Sequence, residues 1–203
     1  MLLRELSPIN LQLQKKSFQQ EVPLTFYAKG QVIPLEDSSF CQIYKGVVQL
    51  SRLSRSNKEV ILGWLSPNHV FGVTSNLSSQ SHRLLAMTDV YVGVYRPQDI
   101  SRNPQLAKRL VSELSHHLLK TEQMITINSV KKTETRLKGL LTMLRDEVGH
   151  PVEQGIRLTA RFTHKNLADA IGATRVTITR ILGEWKNQNI IEFDLERHLI
   201  IKF

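Results

Sequence analysis

The sequence predicts an α+β protein built from an N-terminal β jelly roll, one long helix and a C-terminal winged helix-turn-helix. Three observations predict it. Eight short β-prone runs lie between about Val22 and Tyr95, the 26 residues Gln105–Val130 contain neither Gly nor Pro, and Thr163–Leu182 reads as two short amphipathic helices with a glycine between them. The expected divisions are 1–103, 104–130 and 131–203.

The β-prone runs are Thr25–Tyr27, Gln31–Leu35, Gln42–Tyr44, Val47–Leu53, Val60–Leu65, Val70–Val73, Leu84–Met87 and Tyr91–Val94. Gly30, Gly46, Pro67-Asn68 and Ser78–Ser81 punctuate them. Many short strands at this spacing indicate a sandwich or jelly roll, a form that encloses a pocket.

Beyond Asn103-Pro104 the pattern changes from strand to helix. Leu106, Leu110, Leu114, Leu118, Met124 and Ile125 recur near helical spacing, with Thr121 among them. Such a helix is about 40 Å long. An apolar stripe of that length beside a compact roll is expected to pack on its twin from a second subunit; the alternative is packing on its own domain. A further helix, about Thr133–Glu147, leads through Gly149-His150-Pro151 to a strand near Ile156–Phe162. The closing segment, Ile190–Phe203, alternates around Asp194–Arg197 like a β-hairpin, which supplies the wing.

Between that strand and the wing, Thr163 opens a helix in which Leu167 and Ile171 stand four apart. Ile178, Ile181 and Leu182 form the matching stripe of the next helix. Gly172 is placed to adopt the positive backbone angle of a sharp turn, Ala168 is small enough for close crossing, and Thr174 is placed to cap the second helix. The outward face of the second helix carries Arg175, Val176, Thr179 and Arg180, with Thr177 beside them. An Arg fork matches O6 and N7 of guanine, a valine lies on a thymine methyl, and hydroxyls suit phosphates or bases. These residues imply double-stranded DNA as partner.

Composition agrees without deciding the matter. Lys and Arg total 27 against 18 Asp and Glu, a formal charge of +9 that suits a polyanion. The excess is spread evenly along the chain, as in many soluble proteins. Cys41 is the single cysteine, which excludes an internal disulfide, a cysteine-ligated cluster and a Cys-based zinc finger. No apolar run approaches a membrane span and the first residues lack the order of a secretory signal, so the cytoplasm is the expected location. Trp64 and Trp185 read as core residues.

The order of roll, long helix and winged helix-turn-helix, with Ile43–Gly72 and Ala168–Trp185, resembles the cyclic AMP receptor protein/FNR family of bacterial transcription regulators. Within it, Thr121–Ile125, Phe71–Val73 and Thr174–Arg180 are similar to segments of the cyanobacterial nitrogen-control branch. The resemblance implies a homodimer reading a palindrome with half-sites like GTA and TAC, and a contact to RNA polymerase. Arg175 would meet guanine, Val176 a thymine methyl, and Arg180 a second base or a phosphate. A Glu stands at the place of Val176 in the cyclic AMP receptor type, so that receptor's operator is not expected here.

Cyclic AMP is disfavoured as effector, because Val73 occupies the place of the Glu that accepts from the ribose and the Arg-Ser pair is missing near Ser79–Arg83. The nitrogen-control branch binds 2-oxoglutarate instead. By that resemblance Phe71, Gly72, Val73, Thr74, Arg83 and, on the helix, Glu122 would line its site. His117 stands where an Arg is expected, and an imidazole makes no bidentate fork. Another small metabolite, or no effector, therefore remain alternatives. No catalytic residue and no metal ligand set is expected. A cupin-like metal enzyme is the rival class, but this roll offers only His69 and His82, and adjacent His116-His117 do not face the same way on a helix. A packaging protein without sequence preference is the other rival.

Overall fold

A computed structural model describes residues 22–35, 39–54, 59–72 and 82–203. Val73 and Thr74 lie outside them. Eight strands form the roll: β1 (Leu24–Tyr27), β2 (Val32–Ile33), β3 (Phe40–Lys45), β4 (Val48–Leu53), β5 (Glu59–Leu65), β6 (Val70–Gly72), β7 (His82–Ala86) and β8 (Val90–Tyr95). They make two four-stranded sheets, ordered β1-β8-β3-β6 and β2-β7-β4-β5. Every pairing is antiparallel. Ile33, Ile43, Val48, Leu50, Leu65, Leu84 and Val92 fill the space between the sheets, each at most 2 % exposed.

A short helix, α1 (Pro97–Ser101), precedes α2 (Pro104–Ser129), whose start is capped by the Asn103 side chain accepting from Leu106 N at 3.0 Å. Then come α3 (Thr133–Val148), β9 (Gly149–Val152), β10 (Gly155–Leu158), α4 (His164–Ala170), α5 (Arg175–Asn187), β11 (Ile191–Phe193) and β12 (Leu199–Ile201). The last four strands form a third sheet, ordered β11-β12-β10-β9.

Three elements differ from expectation. The segment Gly149-His150-Pro151, read as a connector, is edge strand β9, with Pro151 opposite Ile156. An edge strand tolerates proline because one row of its amides needs no ladder partner. The strand expected to reach Phe162 stops at Leu158, and α1 was too short to leave a periodic signal.

The long helix divides its apolar residues between two faces. Leu110 is 2 % exposed and packs with Val70 and Tyr95 of the roll, with Leu106 and Leu114 at the margin of that cluster. These three, expected to face a second subunit, contact the chain's own roll, because a helix of this length has apolar residues on more than one side. Met124 and Ile127 are buried in the core shared with α3, and Thr121 lines the narrow cleft beside it. Leu118 and Ile125 are 58 % and 65 % exposed, and so, outside the predicted stripe, are Val111 at 62 % and Leu119 at 60 %.

Polar contacts tie the modules together. Arg109 of α2 donates to Gln42 Oε1 (2.5 Å) and to the Tyr95 hydroxyl (2.9 Å), inside the roll margin. Burial and the neighbouring Tyr44 hydroxyl at 2.6 Å push Tyr95 well above the usual phenol range, so it stays protonated. On the other flank, His69 Nδ1 accepts from Ser66 N (3.2 Å), which leaves Nε2–H to donate to Glu147 of α3 (3.2 Å). Lys120 of α2 pairs with the same carboxylate. Trp64 meets Phe162 edge-on at 5.2 Å, and Asn166 Nδ2 donates to Gln49 Oε1 at 3.2 Å.

The His69 hydrogen bond, followed by the Lys120 contact, holds Glu147 down from 4.5 to about 2 against the opposing effect of burial. A carboxylate with a depressed folded-state pKa stabilises the fold above pH 4.5 and loses that contribution as pH falls toward 2. Acid unfolding followed by circular dichroism should therefore show wild type losing about 1–2 kcal/mol more than Glu147→Gln across this window, the shift being reduced by solvent screening of a partly exposed pair.

Candidate nucleic-acid interface and effector site

The helix-turn-helix forms by local capping and a small shared core. Thr163 Oγ1 accepts from Asn166 N (3.1 Å) while Asn166 Oδ1 accepts from Thr163 N (3.0 Å), a reciprocal capping box that starts α4. Leu167, Ala168 and Ile171 turn inward. Gly172 then takes φ +60°, and Ala173 N donates back to Ala168 O at 2.9 Å. Thr174 Oγ1 accepts from Thr177 N at 3.1 Å and starts α5. Ile178, Ile181, Leu182 and Trp185 anchor α5.

The opposite face of α5 is open to solvent. Arg175, Thr179 and Arg180 are exposed, and so is Val176 at 79 %, an apolar side chain left to solvent among the described residues. Thr177 is half-buried, its hydroxyl against that of Thr174 at 2.9 Å. Arg180 Nη1 pairs with Glu184 at 2.5 Å, an exposed contact worth little and readily exchanged for a phosphate. Thr133 and Arg136 share a polar recess with Thr174 and Thr177 at the elbow, a neighbourhood that no local pattern announced. The same holds for His164, which reaches across from α4 to Thr179.

The residues expected around an effector are only partly together. Phe71 is 9 % exposed, its ring edge-on to His117 at 6.4 Å and 5.5 Å from His82. Gly72 lies against the Phe40 ring, which an added Cβ would meet at 2.5 Å. Arg83 stands elsewhere. Successive strand residues alternate faces, so it points away from His82 and pairs with Glu59 at 3.3 Å. Glu122 is exposed and lies near Leu118 and Ile125 around the helix rather than near His117.

Imidazoles surround this junction. The rings of His69 and His116 lie 5.4 Å apart, and His117 is lowered in pKa by burial, then by His69 and His116. It is therefore mostly neutral at pH 7, a weak partner for a carboxylate. The cleft beside it, between Trp64, Lys120, Met124 and Glu147, holds about 20 Å³, room for a single water. Among the described residues, Asp194, Glu196 and His198 could converge on a cation, but Arg157 already pairs with both carboxylates.

Residues 135–202 match the Crp-like helix-turn-helix domain. The chain is 30 % identical to the Global nitrogen regulator of Synechococcus elongatus, over 97 % of its own length and 89 % of that protein. It belongs to the CRP/FNR family of transcription regulators. The Global nitrogen regulator of Synechocystis is 34 % identical over 73 % of this chain and 70 % of the relative. In fold, the regulator is similar to a CRP-family protein of Thermus thermophilus, with TM-score 0.73, 18 % identity, and coverage of 88 % and 92 %. Across the regulator's described residues, no helix is long and apolar enough to cross a membrane.

Proposed function

We propose that this regulator acts in the cytoplasm as a homodimer that places two copies of α5 in successive major grooves of a palindromic site, about 34 Å apart. One observation carries the reading: α5 is anchored by one face while Arg175, Val176, Thr179 and Arg180 are exposed on the other. Arg175 bonds guanine, Val176 covers a thymine methyl, and Arg180, exchanged from Glu184, takes a second base or a phosphate. Thr163, Thr174 and Thr177 lie at the helix starts, where backbone phosphates approach. The half-sites are of the GTA and TAC kind shared by the nitrogen-control branch.

The dimer reading rests on the outer face of α2. Val111, Leu118 and Ile125 are spaced seven apart and form an exposed apolar row of the kind that marks a coiled-coil seam, with exposed Leu119 on its flank. A small effector, 2-oxoglutarate by the same likeness, binds where Phe71, Gly72 and His117 meet the roll, with Val73, Thr74, Arg83 and Glu122 as further candidates. Binding there shifts the population toward the arrangement that fits DNA, and the bound dimer meets RNA polymerase. An effector-independent regulator is the second reading, favoured by the neutral His117 and by Arg83 facing Glu59.

Arg175→Ala should cost about 1–3 kcal/mol at the selected operator and relax base preference at one pair; equal losses on operator and random duplexes in gel shifts would refute the base contact. Leu118→Glu should convert the protein to a monomer in analytical ultracentrifugation and abolish binding to the palindrome. A calorimetric titration should give saturable heat with 2-oxoglutarate, and a flat trace at millimolar ligand removes that effector.

A further inference from the structure

The hydroxyl of Thr179, in the middle of the face that meets DNA, is already occupied. Oγ1 donates to Arg175 O at 2.8 Å and lies 2.8 Å from His164 Nδ1. A hydroxyl carries one proton. With that proton on the Arg175 carbonyl, the second bond runs from His164 Nδ1–H to Thr179. Protonation of the imidazole adds a proton at Nε2 and leaves Nδ1–H in place, so the bond persists in both charge states. The ring is flanked on another side by Phe193 of the wing, centroid to centroid 6.2 Å at 45°. Three elements thus fix one rotamer: α4 through His164, α5 through its own carbonyl, and β11 through Phe193. With Oγ1 turned along the helix, the group that Thr179 offers to a partner is its methyl, Cγ2.

We propose that Thr179 is a specificity residue reading a thymine C5-methyl by apolar contact, and that His164 is the positioning residue that enforces it. An unclamped threonine would instead turn its hydroxyl to the oxo or amino group of a base edge. The proposal rests on α5 entering the major groove as described under Proposed function.

The test uses the operator that the full-length protein selects from randomised duplexes, with each thymine replaced in turn by deoxyuridine. Wild type should lose about three- to fivefold in affinity at the thymine facing Thr179, the equivalent of one methyl group. Thr179→Val should keep that thymine-over-uracil ratio, Thr179→Ser should bring it to one, and His164→Ala should bring it to one while admitting other bases at that pair alone. The uracil penalty at the thymine under Val176 should persist in all three variants, which shows that each still docks. A ratio that collapses in Thr179→Val, or survives in Thr179→Ser, overturns the methyl contact. A His164→Ala protein weakened alike on every sequence, or unchanged in its ratio, overturns the positioning role. If no operator is selected at all, the regulator reading itself falls, an outcome distinct from both.

Discussion

The carboxylate of Glu147 is the contact on which the arrangement of the molecule depends. It stands in the last turn of α3, a helix whose Leu140, Leu141 and Leu144 are the floor of the DNA-binding module, and it is held by His69 of the roll and Lys120 of α2. One ionised group therefore meets a partner from each of the other two modules. A half-buried charge of this kind is costly if either partner leaves, so the three modules favour one mutual orientation. The apolar contacts beside it, Trp64 against Phe162 and the shared cluster around Met124 and Ile127, give that orientation its bulk. His69, which holds the carboxylate, lies at the cluster of imidazoles around Phe71 and His117. A change at that junction is thus mechanically close to the support of the recognition helix.

The long helix shows how a one-residue offset separates internal packing from association. Leu110, His117 and Met124 form a row seven apart that faces the roll and α3, and Val111, Leu118 and Ile125 form the adjacent row facing solvent. Neighbouring residues on a helix are about 100° apart. Both rows carry apolar side chains, so periodicity detects a two-sided helix without saying which side belongs to the chain itself. Spacing alone therefore predicts a single stripe running from Leu106 through Leu114 to Ile125, where the structure has two rows.

The helix-turn-helix was the most legible part. Its caps at Thr163 and Thr174, its turn at Gly172 and its buried residues all act within about four positions of one another, the range over which helical geometry writes itself into sequence. The eight roll strands were legible as runs of β-prone residues between turn residues, with ends shifted by one or two positions. Strand β9 was not, because Gly149 and Pro151 carry turn signals and only the ladder with β10 makes them a strand. The effector residues were read from likeness to a family pattern, and there the structure divides them. Phe71, Gly72 and His117 come together, while Arg83 falls on the far face of β7 and Glu122 on the solvent side of α2.

By itself, the sequence determined the recognition surface: which helix is presented, which of its residues are anchored and which are exposed, since these follow from hydrophobic spacing and capping along one short segment. Only the tertiary structure decided how that surface is held and what its side chains have left to offer. The bond from His164 to Thr179, the meeting of His69, Lys120 and Glu147, and the turning of Arg83 toward Glu59 all join groups from separate elements. Hydrogen bonds and ion pairs act over about 3 Å, and whether two such elements approach that closely is settled by packing of the whole chain, which no local pattern records.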